Sequence, residues 1–423
     1  MTDPASTRPR RARAPGVVAQ AGVRRFAPGV VSLVLLAACA PAGRGSEGIA
    51  VDTLNGVERV VNLVSTPAAS VVAAETTGTP LRIGSVEGDG PDVFGDIAAV
   101  AVGPDREVYV ADAVALEIRV FSATGEHLRS FGRKGEGPGE FETIDGLVVG
   151  GDGSVLVRDP RLGRVTRFGR DGAFEDSFRL ERSFMIFSDG TTFWSDSVGR
   201  IYDRITIGIG ADEPDREAIV VYSPGAATDT VLAVSHRPER AFAREGDRVV
   251  FGITAPFTPQ PVVAVSGVGE IAAGLGDAYR IAVMNRAGDT LRVFAREVPP
   301  DPVGEAEASA ARDRLRARAE EMAPGARLDD VELPDEKPRI VKVYTDPRGG
   351  WWVGRYRGEP DSDDPTAPIP TEYDLFDASG RLLGTASLPP INLFQIGRDY
   401  VAGVEIDALG VEYAVVYDLA RRG

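Results

Sequence analysis

The strongest constraint on the fold of this chain is an internal repeat. Residues 94–131 align with residues 141–178 without a gap, at a constant offset of 47 positions. Matched positions include an Asp, a Phe and a Gly in each copy, namely Asp112 with Asp159, Phe121 with Phe168 and Gly125 with Gly172. Each copy holds four short apolar alternations separated by turn residues, and an alternation with a period of two indicates strands. The repeat therefore predicts four-stranded antiparallel units.

Less regular copies of the same unit follow along the chain. Strand patterns group into a third unit over 192–234, a fourth over 262–294 and a fifth over 341–385. The chain also contains 49 Gly and 30 Pro residues, which suits a protein with many tight turns. Four-stranded units repeated about every 40–50 residues are typical of a β-propeller. The fold class is therefore predicted to be all-β.

The last unit predicts how the ring closes. It has only three strand patterns, over 393–417. A short strand pattern at 80–84 matches the fourth strand of the first unit, again at an offset of 47. We expect this segment to complete the last unit, because closure removes the open edges of a row of blades. The prediction is a six-bladed β-propeller of four-stranded antiparallel blades over 80–420, closed by an N-terminal strand that joins the last blade.

The first two units also carry a family resemblance. The segments concerned are Val108–Asp112, Ile118–Phe121, Leu128–Gly132 and Glu136–Phe141. They resemble the NHL repeat, and the chain after its leader is similar to bacterial six-bladed β-propeller lipoproteins. The resemblance implies the propeller fold but says little about activity, because propellers host enzymes, binding proteins and scaffolds alike.

The N-terminus predicts export. Residues 1–38 contain six Arg and end in the apolar run Val30–Ala38, which has about half the length of a membrane-spanning helix. The segment Leu36–Cys39 resembles the lipobox of bacterial lipoproteins, in which the peptide is cut before the Cys and the thiol carries lipid. Cys39 is the only cysteine of the chain, so it has no disulfide partner within it. The alternative is an ordinary signal peptide with an incidental Cys.

Lipid attachment at Cys39 predicts an exported protein that is anchored to a membrane of the cell envelope. Residues 39–79 are predicted to be a tether and a partly ordered N-terminal segment. The resemblance to lipoproteins implies the outer membrane in a diderm cell, because Ala40 rather than Asp follows the Cys.

The charge balance excludes one class of partner. The net charge is −16, and without residues 1–38 the chain has 41 basic and 62 acidic residues. A nucleic-acid binder needs a cationic surface to release counterions from phosphate, so no nucleic-acid partner is expected. The same balance argues against electrostatic binding to anionic lipid.

The protein itself is expected to be a monomer.

Unequal loop lengths predict which face of the disc binds a ligand. Turns between the first and second strands, and between the third and fourth, are short. The long connections all fall on the opposite face, at 203–217, 235–260, 295–339 and 355–372. Binding residues concentrate on loops that a rigid scaffold holds in place, so the ligand is expected on this long-loop face.

The connection between the fourth and fifth blades predicts a helical insertion at about 301–323. Asp301 would be its N-cap and Pro302 its first helical residue. Such a helix could be a lid over the central channel or an addition to the surface.

Polar residues at the ends of the second strands are the candidate ligand-binding residues. Three of them are arginines from three blades, which together could clamp a carboxylate or a phosphate. The alternative is that Arg–Asp pairs tie neighbouring blades together. The candidates are Asp112, Arg158, Asp159, Arg204, Arg355 and Tyr356.

Signals for catalysis are weak. The chain has two histidines, His127 and His236, and no cysteine after Cys39. Propellers that resemble peptidyl-amidoglycolate lyases bind zinc through several His, which two widely separated residues do not suit. No metal, cofactor or catalytic residue is predicted. The first hypothesis is a binding module that recognises a protein, peptide or glycan on the long-loop face. The alternative is a metal-dependent lyase or lactonase with its site at the central channel.

Overall fold

The computed structural model describes residues 48–180, 192–207, 215–223, 228–356 and 372–422. The predicted signal peptide and the lipid-attachment residue Cys39 lie outside these ranges. Within them nearly all regular structure is strand, as the repeat predicts. No helix in the described ranges is both long enough and apolar enough to cross a membrane.

The strands, numbered in chain order, are β1 (Ile49–Leu54), β2 (Val57–Asn62), β3 (Val72–Ile83), β4 (Ile97–Val102), β5 (Val108–Asp112), β6 (Glu117–Phe121), β7 (His127–Phe131), β8 (Gly146–Val149), β9 (Val155–Asp159), β10 (Arg164–Phe168), β11 (Phe174–Arg179), β12 (Phe193–Ser195), β13 (Ile201–Ile207), β14 (Asp215–Tyr222), β15 (Asp229–His236), β16 (Arg240–Glu245), β17 (Arg248–Thr254), β18 (Pro261–Val265), β19 (Ile271–Leu275), β20 (Arg280–Met284), β21 (Thr290–Arg296), β22 (Arg327–Leu328), β23 (Ile340–Thr345), β24 (Trp351–Arg355), β25 (Glu372–Phe376), β26 (Leu382–Ser387), β27 (Asn392–Ile396), β28 (Tyr400–Ile406) and β29 (Glu412–Arg421). A 3₁₀ turn covers Pro67–Ser70, and the helix α1 covers Glu305–Met322.

Most strands pair antiparallel with the next strand in the chain. Four successive strands form each of the meanders β4–β7, β8–β11, β12–β15, β18–β21 and β23–β26. The second strands β5 and β9 are buried at every residue, whereas the fourth strands β7 and β11 are largely exposed. The second strands are therefore covered on both faces by neighbouring sheets, and the fourth strands lie at the rim.

Hydrophobic clusters fill the space between successive sheets. Tyr109 and Ile118 of the first meander share one cluster with Leu147 and Val157 of the second. The first strands follow one another in space, because β4 contacts β8 and β8 contacts β12. At the other end of the chain β27 and β28 contact β4. Antiparallel meanders packed face to face around their first strands are the architecture of a β-propeller.

Strand β3 connects the two ends of the described chain. Its second half pairs antiparallel with β29, with Ile83 opposite Ala414 and Leu81 opposite Val416. Its first residues pair in parallel with β26. Residues 80–83 of the predicted segment 80–84 are thus the last residues of β3, and β3 lies between β26 and β29 in one eight-stranded sheet.

Residues 49–62, which fall within the predicted tether, form the hairpin β1–β2. Strand β2 pairs in parallel with β21, so the hairpin extends the sheet β18–β21 at its outer edge. Val60 is fully buried. The buried Asn62 amide donates to the carbonyl of Gly380 and accepts a bond from the Leu382 amide. The hairpin is therefore a packed part of the folded body.

The insertion between β21 and β23 contains the predicted helix, but its start differs from the prediction. The helix begins at Glu305 with Gly304 as its N-cap, so the assignments of Asp301 as N-cap and Pro302 as first residue are wrong. Asp301 and Pro302 instead lie in an extended segment that pairs with residues after the helix. The Lys337 amide donates to the carbonyl of Asp301, and Pro302 lies opposite Glu336. The buried residues of the helix are Ala311, Leu315 and Ala319.

A candidate ligand site at the channel mouth

The strand order fixes which loops share a face. Within each meander, the turn between the second and third strands and the connection to the next meander lie on one face of the disc. The two longest described connections, 237–260 and 297–339, therefore lie on this long-loop face. They carry the small sheet β17–β16–β22 and the helix α1.

A cavity of about 340 Å³ opens between the first strands of four successive sheets. Trp194 comes from β12, Val263 from β18, Val343 from β23 and Phe394 from β27. Because the first strands surround the channel of a propeller, we call this space the mouth cavity. Its other lining residues are Thr192, Arg204, Thr206, Glu217, Gln260, Pro261, Val262, Val341, Lys342 and Tyr344.

One wall of the mouth cavity carries a fixed ion pair. The Arg204 Nε donates to Glu217 Oε2 over 2.8 Å, and the Thr206 hydroxyl donates to Glu217 Oε1 over 2.9 Å. Arg204 and Thr206 lie on β13 and Glu217 on β14, where Thr206 and Glu217 are register partners. Glu217 is buried, whereas Arg204 keeps about a quarter of its side chain exposed. Both oxygens of the carboxylate are thus held in place, and the guanidinium reaches the cavity.

Aromatic side chains form another part of the lining of the mouth cavity, and one of them, Trp194, lies on β12 beside the strand β13 that carries Arg204. Trp194, Tyr344 and Phe394 are partly exposed and line the cavity. The Tyr344 hydroxyl donates to the carbonyl of Leu393 over 3.0 Å, which fixes that ring. The other two tryptophans of the chain, at 351 and 352, are fully buried.

A histidine lies behind the ion pair. His236, at the end of β15, is 8% exposed, and its Nδ1 has no hydrogen-bond partner among the described residues. Burial lowers the pKa of His236, while Glu217 and Asp215 oppose that shift and the cations of Arg240 and Arg204 reinforce it. Asp215 and Arg240 form an ion pair of their own. The imidazole is therefore neutral at pH 7.

Two of the sequence candidates, Asp112 and Asp159, hold turns together. Asp112 accepts bonds from the backbone amides of Val114 and Ala115. Asp159 accepts bonds from the equivalent amides, those of Arg161 and Leu162. Both carboxylates are almost completely buried. The repeat conserves this Asp in both copies because each turn needs the same acceptor.

Arg158 joins two sheets. It is fully buried, and its Nε donates to Asp145 Oδ1 over 2.7 Å. Its Nη1 pairs with Asp203, which is fully buried on β13 of the next sheet. Burial raises the pKa of Asp203, and the charge of Arg158 opposes that rise. This arrangement is the tie between blades that the sequence offered as the alternative to a ligand clamp.

The remaining candidates differ in their access to the cavity. Arg204 lines the mouth cavity. Arg355 pairs with Glu372 and lies 3.4 Å from Asp374. Tyr356 packs on a separate cluster formed by the two insertions. The three arginines therefore do not converge on one point, and Arg204 is the one among the cavity's lining residues.

Sequence reasoning did not single out Trp194, Glu217 or Gln260. Each stands in or next to a strand of the degenerate third and fourth units, where the offset of 47 no longer aligns the chain with itself. His236 was noted only as one of two widely separated histidines. Within the described residues, no group of three or more His, Cys, Asp or Glu side chains is placed so that it could hold a metal ion.

Comparison with known proteins shows a similarity of fold and nothing further. Neither a protein-family model nor a curated protein matches the chain. Among solved structures, a protein described as exported from Bacteroides fragilis is 12% identical, with a TM-score of 0.44 over 86% of this chain and 100% of its own. A member of the DUF4221 family from Bacteroides vulgatus is 10% identical, with a TM-score of 0.47 over 83% and 99%.

A virginiamycin B lyase from Staphylococcus aureus is 9% identical, with a TM-score of 0.34 over 76% of this chain and 94% of its own. At such identities, function has to be argued from the residues of this chain's own site.

Proposed function

We propose that this protein is a lipid-anchored binding module of the cell envelope and that its ligand enters the mouth cavity on the long-loop face. The observation that carries the proposal is the cavity itself. It is concave, lies at the centre of the disc, and combines a fixed Arg204–Glu217 pair with partly exposed aromatic rings. Ligand sites typically have this composition, apolar walls with a few oriented polar groups.

The proposal includes a six-bladed ring. Five meanders of four strands are each continuous in sequence, β27–β29 are a further meander of three strands, and β3 pairs with β29 on one side and with β26 of the fifth meander on the other, in a single eight-stranded sheet. Support for closure comes from the pairing of β3 with β29 and from the cluster in which Ile83 meets Val100 of the first meander. Pairing of an N-terminal strand with the last strand ties the two ends of the ring together.

The anchor is proposed from the leader sequence. The apolar run and the Leu36–Cys39 segment resemble a lipobox, and Cys39 is the only cysteine. Replacing Cys39 with Ser should abolish palmitate labelling and leave unprocessed precursor. Normal cleavage of the Ser variant at the same place would contradict lipidation.

The binding function can be tested in cells by photo-crosslinking. Phe394, in the mouth cavity, would be replaced by p-benzoylphenylalanine, and the same replacement of Phe174 serves as the control, because Phe174 is 40% exposed on the rim strand β11. We expect irradiation to give a discrete adduct at 394 and none at 174. No adduct at 394 in a folded variant, or equal adducts at both positions, would contradict a ligand at the mouth.

Metal analysis of the purified protein separates this function from the lyase or lactonase alternative. A binding module should contain no stoichiometric divalent ion. One tightly held divalent ion per chain would favour the enzyme.

A further inference from the structure

The charged side chains in the lining of the mouth cavity favour an anionic ligand. The charged lining residues are Arg204, Lys342 and Glu217, so the lining has an excess of one positive charge. The chain as a whole has a net charge of −16. The mouth cavity is thus a cationic site on an acidic protein, and the field of such a site raises the local concentration of anions.

The one carboxylate of the lining offers little to a ligand. Glu217 is 4% exposed, its Oε2 accepts a bond from Arg204, and its Oε1 accepts a bond from Thr206. An ammonium group that came to this carboxylate would give up its hydration for oxygens that are already hydrogen-bonded, and the loss of hydration is costly for a charge. A cationic ligand is therefore disfavoured.

The unused hydrogen-bonding capacity of the polar lining lies in Arg204. The hydroxyls of Thr192 and Thr206 and the amide of Gln260 are already hydrogen-bonded within the protein. Arg204 uses its Nε for Glu217, and its Nη2 makes a long contact of 3.5 Å with a backbone carbonyl. Within the described part of the chain its Nη1 makes no hydrogen bond, and 24% of the side chain is exposed. The guanidinium, which has five N–H donors and no acceptor, can therefore donate to a ligand from its Nη atoms.

Apolar and aromatic side chains surround these donors. Trp194 on β12 pairs with Tyr202 on β13, and Arg204 is two residues further along β13. Because alternate residues of a strand share a face, the indole and the guanidinium are diagonal neighbours on the same face. Phe394 and Val263 add apolar surface from two other sheets. An anionic group bonded to Arg204 would thus have its adjoining atoms against apolar surface.

Size and charge distinguish among the possible anions. The cavity volume of about 340 Å³ lies at the lower end of the range for small-molecule pockets, which is roughly 300–1,000 Å³. A phosphate monoester carries a charge of about −1.5 to −2 at pH 7, which exceeds the single excess charge of the lining. A carboxylate carries one negative charge, and its two oxygens match the planar fork of a guanidinium. The lining therefore suits a carboxylate best.

Resting on the binding function above, we propose that the mouth cavity binds its ligand by a carboxylate group, with the Nη atoms of Arg204 as the hydrogen-bond donors and an adjoining apolar or aromatic group against Trp194. The carboxylate belongs either to a small organic acid or to the C-terminal residue of a peptide, and the test below separates these two sources.

Calorimetric titration of the protein purified in detergent tests the carboxylate directly. The probe for a small acid is 3-phenylpropionate, and the probe for a peptide C-terminus is N-acetylglycylphenylalanine. The matched controls are the primary amides of the same two compounds, which replace the carboxylate with a neutral group of similar size. We expect at least one acid to bind saturably and at least about tenfold more tightly than its own amide, because charge-assisted hydrogen bonds are lost in the amide.

Two variants of the ion pair should change the affinity for that acid in opposite directions. Arg204→Gln should weaken binding by about tenfold or more, since it removes the charged donors. Glu217→Gln should strengthen binding by about threefold or more, because the guanidinium then no longer shares its charge with a neighbouring carboxylate. A cationic ligand would show the reverse of both changes. The control is Arg292→Gln, which breaks an ion pair with Glu270 outside the cavity lining and should leave the affinity unchanged.

The possible failures are distinguishable. If neither acid binds, or if the amides bind as tightly as the acids, the carboxylate assignment is overturned. An adduct at position 394 in cells would then leave the binding function standing. If no probe binds and no adduct forms at 394, both proposals fail. Where the carboxylate assignment holds, the acid that binds more tightly identifies the source of the carboxylate.

Discussion

Two neighbouring seams of this propeller each contain an arginine paired with a carboxylate, one fully enclosed and the other partly exposed. The first seam, between β8–β11 and β12–β15, contains Arg158 paired with Asp203, both fully buried. The second seam, between β12–β15 and β18–β21, contains Arg204 paired with Glu217 beside the mouth cavity. Arg158 and Arg204 both come from second strands and both meet a carboxylate.

The difference between the seams lies in what covers each arginine. The Phe193 ring lies 5.4 Å from the guanidinium carbon of Arg158, and Thr192 and Asp145 supply further hydrogen bonds. Among the described residues across its seam, Arg204 instead reaches only the carbonyl of Pro261, at 3.5 Å, and it remains partly exposed. An arginine in a propeller seam therefore acts as a tie where neighbours enclose it, and it keeps part of its side chain exposed where the seam opens into the mouth cavity.

Replacing each arginine with methionine should give the largest contrast. Arg158→Met leaves Asp203 buried without its cation, so we expect a loss of about 3–5 kcal/mol in the free energy of unfolding. Arg204→Met should cost less, about 1.5–3 kcal/mol, because Arg204 is itself partly exposed and the Glu217 carboxylate keeps its hydrogen bond from Thr206. Urea denaturation measures both values.

The double variant Arg158→Met with Asp203→Leu is the control for this pair. It should recover much of the lost stability, because the fully buried carboxylate of Asp203 is no longer left without its cation. Equal losses for Arg158→Met and Arg204→Met would contradict the distinction between a sealed and an open seam.

A third seam, between β27–β29 with β3 and the first meander, extends the comparison to an apolar tie. Ile83 is 3% exposed there and belongs to the cluster that joins the two ends of the chain. Ile83→Ala should lower the free energy of unfolding by about 2–4 kcal/mol. Leu128→Ala on the rim strand β7 is the control, since Leu128 is 46% exposed and should cost far less. Similar small losses for both would mean that β3 does not hold the ring closed.

Acidification should act on the open seam through His236. Because burial lowers its pKa in the folded protein, the unfolded chain binds a proton more readily. The contribution of neutral His236 to the free energy of unfolding is therefore fully present above about pH 6.5 and is lost as the pH falls through the lowered pKa. The loss is at most about 1.4 kcal/mol for each pH unit. His236→Asn should flatten this part of the profile of melting temperature between pH 7.5 and 5. An unchanged slope would show that other groups cause the dependence.

The contrast between the seams also shows how far sequence reasoning reaches. The offset of 47 predicts the strands of the first two units, and the position of Leu81 relative to Leu128 predicts a strand at 80–84. These inferences work because strand period and turn residues are local properties. The sequence cannot distinguish Arg158 from Arg204, because both are arginines near the end of a second strand.

What separates them is a contact between blades. Phe193 and Pro261 occupy the two seams as a result of strand register in units where the repeat has degenerated. The sequence does not identify Trp194 and Glu217 as cavity residues for the same reason. Segments that are far apart in the sequence form the cavity together. Asp112 and Asp159 occupy the same position in the two copies of the repeat. This Asp recurs because its carboxylate accepts hydrogen bonds from the backbone of the following turn.

The Arg204 seam is open at the mouth, whereas the Arg158 seam is sealed. The most direct measurement is the rate at which a maleimide modifies a single introduced cysteine in the native protein, read on the corresponding peptide by mass spectrometry. Thr206→Cys lies in the mouth cavity, and Val165→Cys lies in the Arg158 seam, where Val165 is fully buried opposite Arg158. A buried thiol reacts only when the structure opens locally, so modification at 206 should be faster by orders of magnitude and should slow when the ligand is bound. Equal protection at both positions would mean that the mouth is closed and would contradict the account.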